Sequence, residues 1–196
     1  MGLREVAQKR LRWRSRLRSG RAVRTPVAPL VLGPAGALYL IDRHHLVRAL
    51  AEEGHAEVLA QPIADFSYLE SWDLWPALDA RGWCHPFGAD GHRRPYAKIP
   101  STIADLSDDP YRSLASALRR AGGFAKKAVP FSEFAWADFL RRRIAAQILA
   151  LDFDAALGQA LRLAGTPAAR DLPGWRPDRL AILRTGAAPL SAHVFR

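Results

Sequence analysis

The stretch 27–50, VAPLVLGPAGALYLIDRHHLVRAL, carries the signals that decide the fold. Two apolar runs, 27–32 and 37–42, flank the segment GPAG, whose Gly and Pro residues indicate a turn. This pattern predicts two strands joined as a hairpin. A helical pattern over 44–53 follows at once and ends at Gly54. The chain therefore turns from strand to helix within a few residues.

The remainder of the chain continues with one more strand and then with helices. In order, the pattern predicts a strand over 56–65, a helix over 67–80, a loop over 81–98, a helix that starts at Pro110 with Asp109 as its N-cap, and helices over 131–149 and 152–165. Strands first and helices later indicate an α+β fold. We expect a small mixed sheet with helices, a helical C-terminal half and a basic N-terminal helix.

Positive charge is concentrated at the N-terminus. Residues 1–24 hold nine Lys or Arg and one Glu, a net charge of +8, whereas the other 172 residues carry 20 basic and 18 acidic groups. A helix is predicted over 3–18, and Arg10, Arg14 and Arg18 follow one another on it at i,i+4 spacing. Such a face suits the phosphates of nucleic acid, and a solvated helix face is the alternative.

Length and composition predict one main domain. We expect a basic arm over 1–24, a domain with a helical extension over 25–165, and a tail over 166–196 packed on that domain. The one cysteine, Cys84, excludes an internal disulfide, which fits a reducing compartment. The apolar run 27–41 is short and interrupted by Pro and Gly, so we expect no membrane span. With no secretory signal either, a cytoplasmic location is expected.

The strand-to-helix corner gathers residues that suit an anion. With Asp42 as the N-cap, His44 and Arg48 lie one turn apart on the face opposite the apolar residues, and His45 lies beside them. They stand at the positive end of the helix dipole, where Arg contacts phosphate oxygens and His exchanges protons near neutral pH. The pattern indicates a phosphate site in which Asp42 orients the histidines. The alternative is that Asp42 only caps the helix, the histidines bond locally and Arg48 is solvated.

The same stretch resembles the start of the ParB/sulfiredoxin superfamily, in which a β-hairpin leads into a helix through a motif of the form D-G-x-H-R or G-x-R-R. Downstream, DLSDDPYRSLASALRRAGGF and PFSEFAWADFLRRRI are similar to the ParB-like nuclease family, so the resemblance spans roughly residues 24–145. Arg43 stands at the position of the motif glycine, and Leu46 stands at that of the motif arginine. Arg48, one turn after His44, is expected to supply the missing charge.

The resemblance implies a nucleotide or phosphate pocket at this corner. Activities in the superfamily include CTP binding and hydrolysis, ATP-dependent phosphorylation and nuclease activity. We therefore expect a nuclease, NTPase or kinase with His44, His45 and Asp42 as catalytic residues, acting on a nucleotide or nucleic acid. Mg²⁺ and a nucleoside triphosphate are the expected cofactors. The alternative is a non-catalytic DNA-binding or partition-type interaction module that relies on the basic arm.

Two later segments hold further candidates. Arg112 follows the second helix start and is a candidate phosphate ligand. Asp109 is a candidate metal ligand, and a plain N-cap is the alternative. Lys126 lies in the segment RRAGGFAKK, which either grips a phosphate as a flexible loop or ends a helix in solvent.

Overall fold

The computed structural model describes residues 1–19, 27–127 and 129–176, so the end of the predicted arm and most of the predicted tail lie outside it. Its helices are α1 (Leu3–Arg18), α2 (His44–Glu52), α3 (Ser71–Ala80), α4 (Pro110–Arg120), α5 (Ser132–Arg141), α6 (Ala146–Leu151) and α7 (Phe153–Ala164), and its strands are β1 (Ala28–Leu32), β2 (Leu38–Leu40) and β3 (Ala60–Asp65). The chain divides into two compact units, Met1–Ser113 and Leu114–Arg196. Within the described ranges, none of the helices has the length and apolar character needed to cross a bilayer.

Three strands form a mixed sheet in the first unit, in the order β2-β1-β3. Strands β1 and β2 are antiparallel, with Val31 opposite Tyr39, which confirms the predicted hairpin. Strand β3 runs parallel to β1. A parallel pair needs a crossover connection, and α2 lies within that connection. The mixed sheet with its helices confirms the predicted α+β class.

Helix α3 contributes the main apolar contacts of the sheet. Leu74 and Leu78 of α3 are buried in one cluster with Val31 of β1 and Phe66 after β3. Tyr39 of β2 packs against the same cluster. Because this cluster holds β2 in place, it also fixes where the chain leaves the sheet and enters α2.

Helix α1 packs against α2. Val6 is buried, and Arg10 pairs with Glu53 at 2.5 Å and with Glu52 at 2.9 Å. Arg14 pairs with Glu53 at 2.5 Å. Hydrogen bonds from both guanidinium groups lower the pKa of Glu53 to about 2. The first part of the basic arm is therefore an integral helix of the first unit, joined to α2 by ion pairs.

The second unit is helical and centres on Trp136 of α5. The Trp136 side chain is fully buried and stacks on Phe124, with ring centroids 4.4 Å apart. Its Nε1 donates a hydrogen bond to the carbonyl oxygen of Pro173 at 2.8 Å. The ring therefore connects α5 both to the segment that follows α4 and to the segment that follows α7.

The single helix predicted over 131–149 is wrong. The chain breaks between α5 and α6, at Ala145, whose ψ of 139° is extended. Ile144 and Leu149 are both buried. Five residues apart on a straight helix, these side chains would point about 140° away from each other. The break allows both of them to be buried.

Candidate functional site

A left-handed residue builds the corner between β2 and α2. Arg43 has φ 65° and ψ 20°, a conformation that costs an L-residue about 1 kcal/mol and that glycine adopts freely. Its N–H donates to Oδ1 of Asp42 at 2.6 Å. The prediction that Asp42 is the N-cap is wrong, because Arg43 takes that position. Arg43 stands where the ParB-type motif has glycine, and the backbone keeps the conformation that glycine favours.

The first turn of α2 offers backbone donors. The N–H groups of Leu46 and Val47 bond to the Arg43 carbonyl at 2.8 and 3.0 Å. Among the described residues, the N–H groups of His44 and His45 have no acceptor. They lie at the positive end of the helix dipole, and the neighbouring Arg43 is exposed. This turn therefore presents two N–H groups and a nearby guanidinium to an anion.

The His44 ring bonds back to strand β2. Its Nε2 lies 3.1 Å from the carbonyl oxygen of Leu40. Because a carbonyl only accepts, Nε2 carries the proton and Nδ1 keeps the lone pair. Burial lowers the pKa of His44, although the charge of Asp42 opposes this shift. At neutral pH, His44 is therefore an uncharged base held in one orientation.

The His45 ring faces the start of α1. The N–H of Gly2 donates to Nε2 of His45 at 3.1 Å, so the proton of the neutral ring lies on Nδ1. Oε2 of Glu5 lies 3.5 Å from the same nitrogen. Burial, followed by the positive charge of Arg112, lowers the pKa of His45 to about 3. The His45 ring is therefore neutral, and Gly2 and Glu5 lie against it.

The Arg48 guanidinium is bonded to the protein itself. Its Nε donates to Glu52 at 2.6 Å, and its Nη1 donates to the carbonyl oxygens of Ile103 and Ala104 at 3.0 and 2.6 Å. These bonds fasten the short turn Ile103–Asp105 to α2. His44 and Arg48 lie one turn apart as predicted, but the described contacts give them separate partners.

Three helices begin close together in the first unit: α1, α2 and α4. Asp109 caps α4, since its Oδ1 accepts the N–H groups of Tyr111 and Arg112 at 3.0 and 3.2 Å. Asp108 accepts the N–H of Leu3, in the first turn of α1, at 2.7 Å. Each carboxylate therefore stands at the positive end of a helix dipole. Glu5 of α1 lies 3.5 Å from a guanidinium nitrogen of Arg112, which joins the starts of α1 and α4.

The described residues do not fit a resident Mg²⁺ site. Among them, no group of three or more His, Cys, Asp or Glu side chains is arranged to hold a metal ion. Asp109, the residue predicted to bind metal, uses its carboxylate to cap α4.

The predicted site residues fall into distinct groups. Asp42, His44 and His45 are gathered at the start of α2, whereas Arg18 is exposed at the end of α1 and Lys126 is exposed after α4. The remaining predicted residues are bonded within the first unit, as described above for Arg10, Arg14, Arg48, Asp109 and Arg112.

Two residues at the start of α1, Gly2 and Glu5, contact His45 but were not predicted from the sequence as site residues. Glu5 is the one acidic residue among the first 24, and this isolation was the signal that could have marked it. Gly2 carries no such signal. A Cβ on Gly2 would lie 2.5 Å from Oγ of Ser113, so only tertiary structure reveals why glycine fits there.

Comparisons with known proteins agree with this architecture. A family model described as "Putative ParB-like nuclease" matches residues 1–142. The match covers most of the chain, including the hairpin, the corner and the starts of α1, α2 and α4. The chain belongs to the ParB-like nuclease family.

A solved structure is also similar to this chain. It is the crystal structure of protein Atu1540 from Agrobacterium tumefaciens, which is 49% identical in sequence with a TM-score of 0.85. The similarity covers 90% of this chain and 89% of that one. No curated protein matches this chain.

Proposed function

We propose that this protein binds a phosphate of a nucleotide or nucleic acid at the start of α2 and hydrolyses a phosphodiester bond. The observation that carries the proposal is the left-handed turn at Arg43, which leaves the N–H groups of His44 and His45 without a described acceptor. Helix N-termini with such donors bind phosphate because donors and dipole both favour an anion. Membership of the ParB-like nuclease family supports nucleic acid as the partner.

Each residue of the corner has a role in this proposal. The exposed Arg43 guanidinium and the two N–H groups hold phosphate oxygens. His44 is the general base, because its Nδ1 keeps a lone pair while Leu40 fixes the ring through Nε2. His44 removes a proton from the attacking water as the water oxygen bonds to phosphorus. The bond between phosphorus and the leaving oxygen breaks, and the leaving oxygen takes a proton from solvent. Asp42 holds the backbone of Arg43 through a hydrogen bond of 2.6 Å.

Cleavage of single-stranded DNA, double-stranded DNA and RNA by the full chain tests the proposal, with and without Mg²⁺. We expect His44→Ala to lower the cleavage rate by about a hundredfold or more, the usual contribution of a general base. His92→Ala is the matched control, because the His92 side chain is 80% exposed and lies outside the corner. Cleavage that persists unchanged in His44→Ala would remove His44 from the mechanism. A thermal-shift screen of nucleoside triphosphates reports whether the chain binds a nucleotide, which nucleotide-dependent phosphoryl transfer requires.

A non-catalytic DNA-binding module is the second candidate, and the outer face of α1 favours it. Arg12, Arg16 and Arg18 are exposed and form no ion pair with another described residue. By contrast, Arg10 and Arg14 are paired with acidic residues of α2 and its C-terminal end. The exposed arginines are therefore the ones available to neutralise phosphates.

A salt titration of DNA binding separates the two candidates. For Arg12→Gln/Arg16→Gln, the slope of log K against log salt concentration is expected to become shallower by about 2, since each phosphate contact contributes roughly 0.9. Lys126→Gln/Lys127→Gln removes the same charge from the exposed loop after α4 and should leave the slope unchanged. Equal losses for both variants would contradict a specific role for α1.

A further inference from the structure

The carboxylate of Glu5 lies between the His45 ring and the Arg112 guanidinium. Its Oε2 is 3.5 Å from Nε2 of His45 and 3.5 Å from Nη1 of Arg112. The three side chains are largely buried, with 14%, 16% and 10% of the surface of Glu5, His45 and Arg112 exposed. The Arg112 guanidinium is a donor suited to this oxygen, whereas Nε2 of His45 accepts from Gly2 and becomes a donor to an anion only when that bond breaks and the ring takes a proton.

The contacts of Glu5 are long compared with the other ion pairs of α1. Arg10 and Arg14 each approach Glu53 to 2.5 Å, and good charge-assisted hydrogen bonds measure roughly 2.7–2.9 Å. The Glu5 carboxylate, which is fixed to α1, therefore lies near His45 and Arg112 but forms a short hydrogen bond with neither of them in these two contacts. A phosphate, which carries more oxygens and is not tethered to a helix, is able to form shorter contacts with both.

A further hydroxyl lies beside the same turn of α1. Oγ of Ser113 is buried and has no hydrogen-bond partner among the described residues. A buried hydroxyl without a partner is costly, and such groups are uncommon in native proteins. Gly2 lies directly against Ser113, so departure of the first turn of α1 exposes this hydroxyl next to Arg112.

Withdrawal of α1 has a cost that a ligand must compensate. It breaks the hydrogen bonds from Gly2 to His45 and from Leu3 to Asp108. It also breaks the bond from the backbone N–H of Asp109 to the Met1 carbonyl oxygen at 2.6 Å and the bond from the N-terminal amine to the Ser107 carbonyl oxygen at 2.8 Å. The carboxylate of Asp109 keeps its two bonds, because they are made to α4 itself. A ligand that binds only the withdrawn state shifts the equilibrium towards it.

We propose that Glu5 is a built-in competitor for phosphate, and that phosphate binds between His45 and Arg112 only when the first turn of α1 withdraws from them. This inference rests on the function proposed above and adds a regulatory element to it. The first turn of α1 is then an autoinhibitory cover, and a phosphate-bearing ligand releases it.

Calorimetric titration of the full chain with inorganic phosphate tests the competition. Glu5→Gln keeps the shape of the side chain and removes the competing charge. We expect it to tighten phosphate binding roughly tenfold, as one charge-assisted hydrogen bond would. Glu57→Gln makes the same change in net charge at an exposed position and should leave the affinity at the wild-type value.

Hydrogen exchange provides a second measurement that needs no variant. In the wild-type chain, amide exchange over residues 3–10 should become faster when phosphate is added, because a withdrawn helix loses protection. Equal affinities of Glu5→Gln and Glu57→Gln, or an exchange rate that phosphate leaves unchanged, would overturn the inference. If phosphate binding is then still weakened by Arg43→Ala, the proposed function survives alone. Absence of phosphate binding in every variant removes both.

Discussion

The backbone N–H of Gly2 donates to Nε2 of His45 at 3.1 Å, across 43 residues of sequence. This bond joins the first turn of α1 to the first turn of α2 and places the proton of the neutral ring on Nδ1. The bond acts in the same direction as the burial that lowers the pKa of His45, because a protonated Nε2 would turn an N–H towards the Gly2 N–H.

The stability of the protein should fall in acid because of His45. Its pKa is lowered from 6.5 to about 3 in the folded state, so between these values the unfolded chain binds more protons. The free energy of unfolding therefore decreases as the pH falls through this window. His45→Gln, whose amide oxygen still accepts from Gly2, should reduce that decrease by up to about 4 kcal/mol. The measurement is denaturant unfolding at each pH, in which His92→Gln, at an exposed position, should behave as wild type. If the free energy of unfolding of His45→Gln falls with pH as much as that of the wild type, the account is contradicted.

Gly2→Ala should destabilise the docking of α1. The added Cβ would lie 2.5 Å from Oγ and 2.9 Å from the backbone nitrogen of Ser113, and the backbone contact is not relieved by a side-chain rotation. We expect a loss of about 1–3 kcal/mol in the free energy of unfolding, as for overpacking in a core. Gly158→Ala is the matched control, because its Cβ meets only Arg162 at 3.7 Å within α7 and should stabilise by roughly 0.5–1 kcal/mol. Equal stabilities of the two variants would show that the start of α1 adjusts freely.

Arg43→Gly should change stability and phosphate binding in opposite directions. Glycine relieves the left-handed strain at this position, so the melting temperature should rise, by an amount that corresponds to about 1 kcal/mol. It also removes the exposed guanidinium, so phosphate affinity should fall. Arg43→Ala removes the same charge without relieving the strain, and should bind as weakly as Arg43→Gly while remaining less stable. Retention of wild-type affinity by both variants would exclude Arg43 from the binding site.

The thiol of Cys84 should react slowly in the native protein. Cys84 is 8% exposed, and burial raises its pKa to about 11. Relative to an ordinary thiol with a pKa of 9, roughly a hundredfold smaller fraction is thiolate at pH 8. Labelling with a thiol reagent should therefore be about a hundredfold faster in urea than in native buffer. It is the one cysteine in the chain, so the signal is unambiguous, and rapid native labelling would contradict the burial.

Local patterns predicted the elements well where the signal lies within the element. The helix over 3–18 and the start of α4 at Pro110 agree with the structure, because helical periodicity and an N-cap such as Asp109 act over a few residues. The prediction over 131–149 was wrong for the opposite reason. Whether Ile144 and Leu149 share one helix depends on where the core lies, and that is not a local property.

The site was predicted only in part for a related reason. The sequence placed His44, His45 and Arg48 around one helix start, and the structure agrees on that position. Their bonding partners lie far away in the chain, at Gly2 and Glu5 for His45 and at Ile103 and Ala104 for Arg48. No spacing rule within 42–50 contains that information.

The sequence alone determined the mixed α+β architecture, the hairpin and the helices up to α4, because periodicity, turn residues and caps are short-range properties. Only the tertiary structure decided that α1 docks on α2, that Glu5 lies between His45 and Arg112, and that Arg48 fastens the turn Ile103–Asp105. The physical reason is that charges and hydrogen-bond donors take whichever partner folding brings within about 3 Å, and that partner is set by packing across the whole unit.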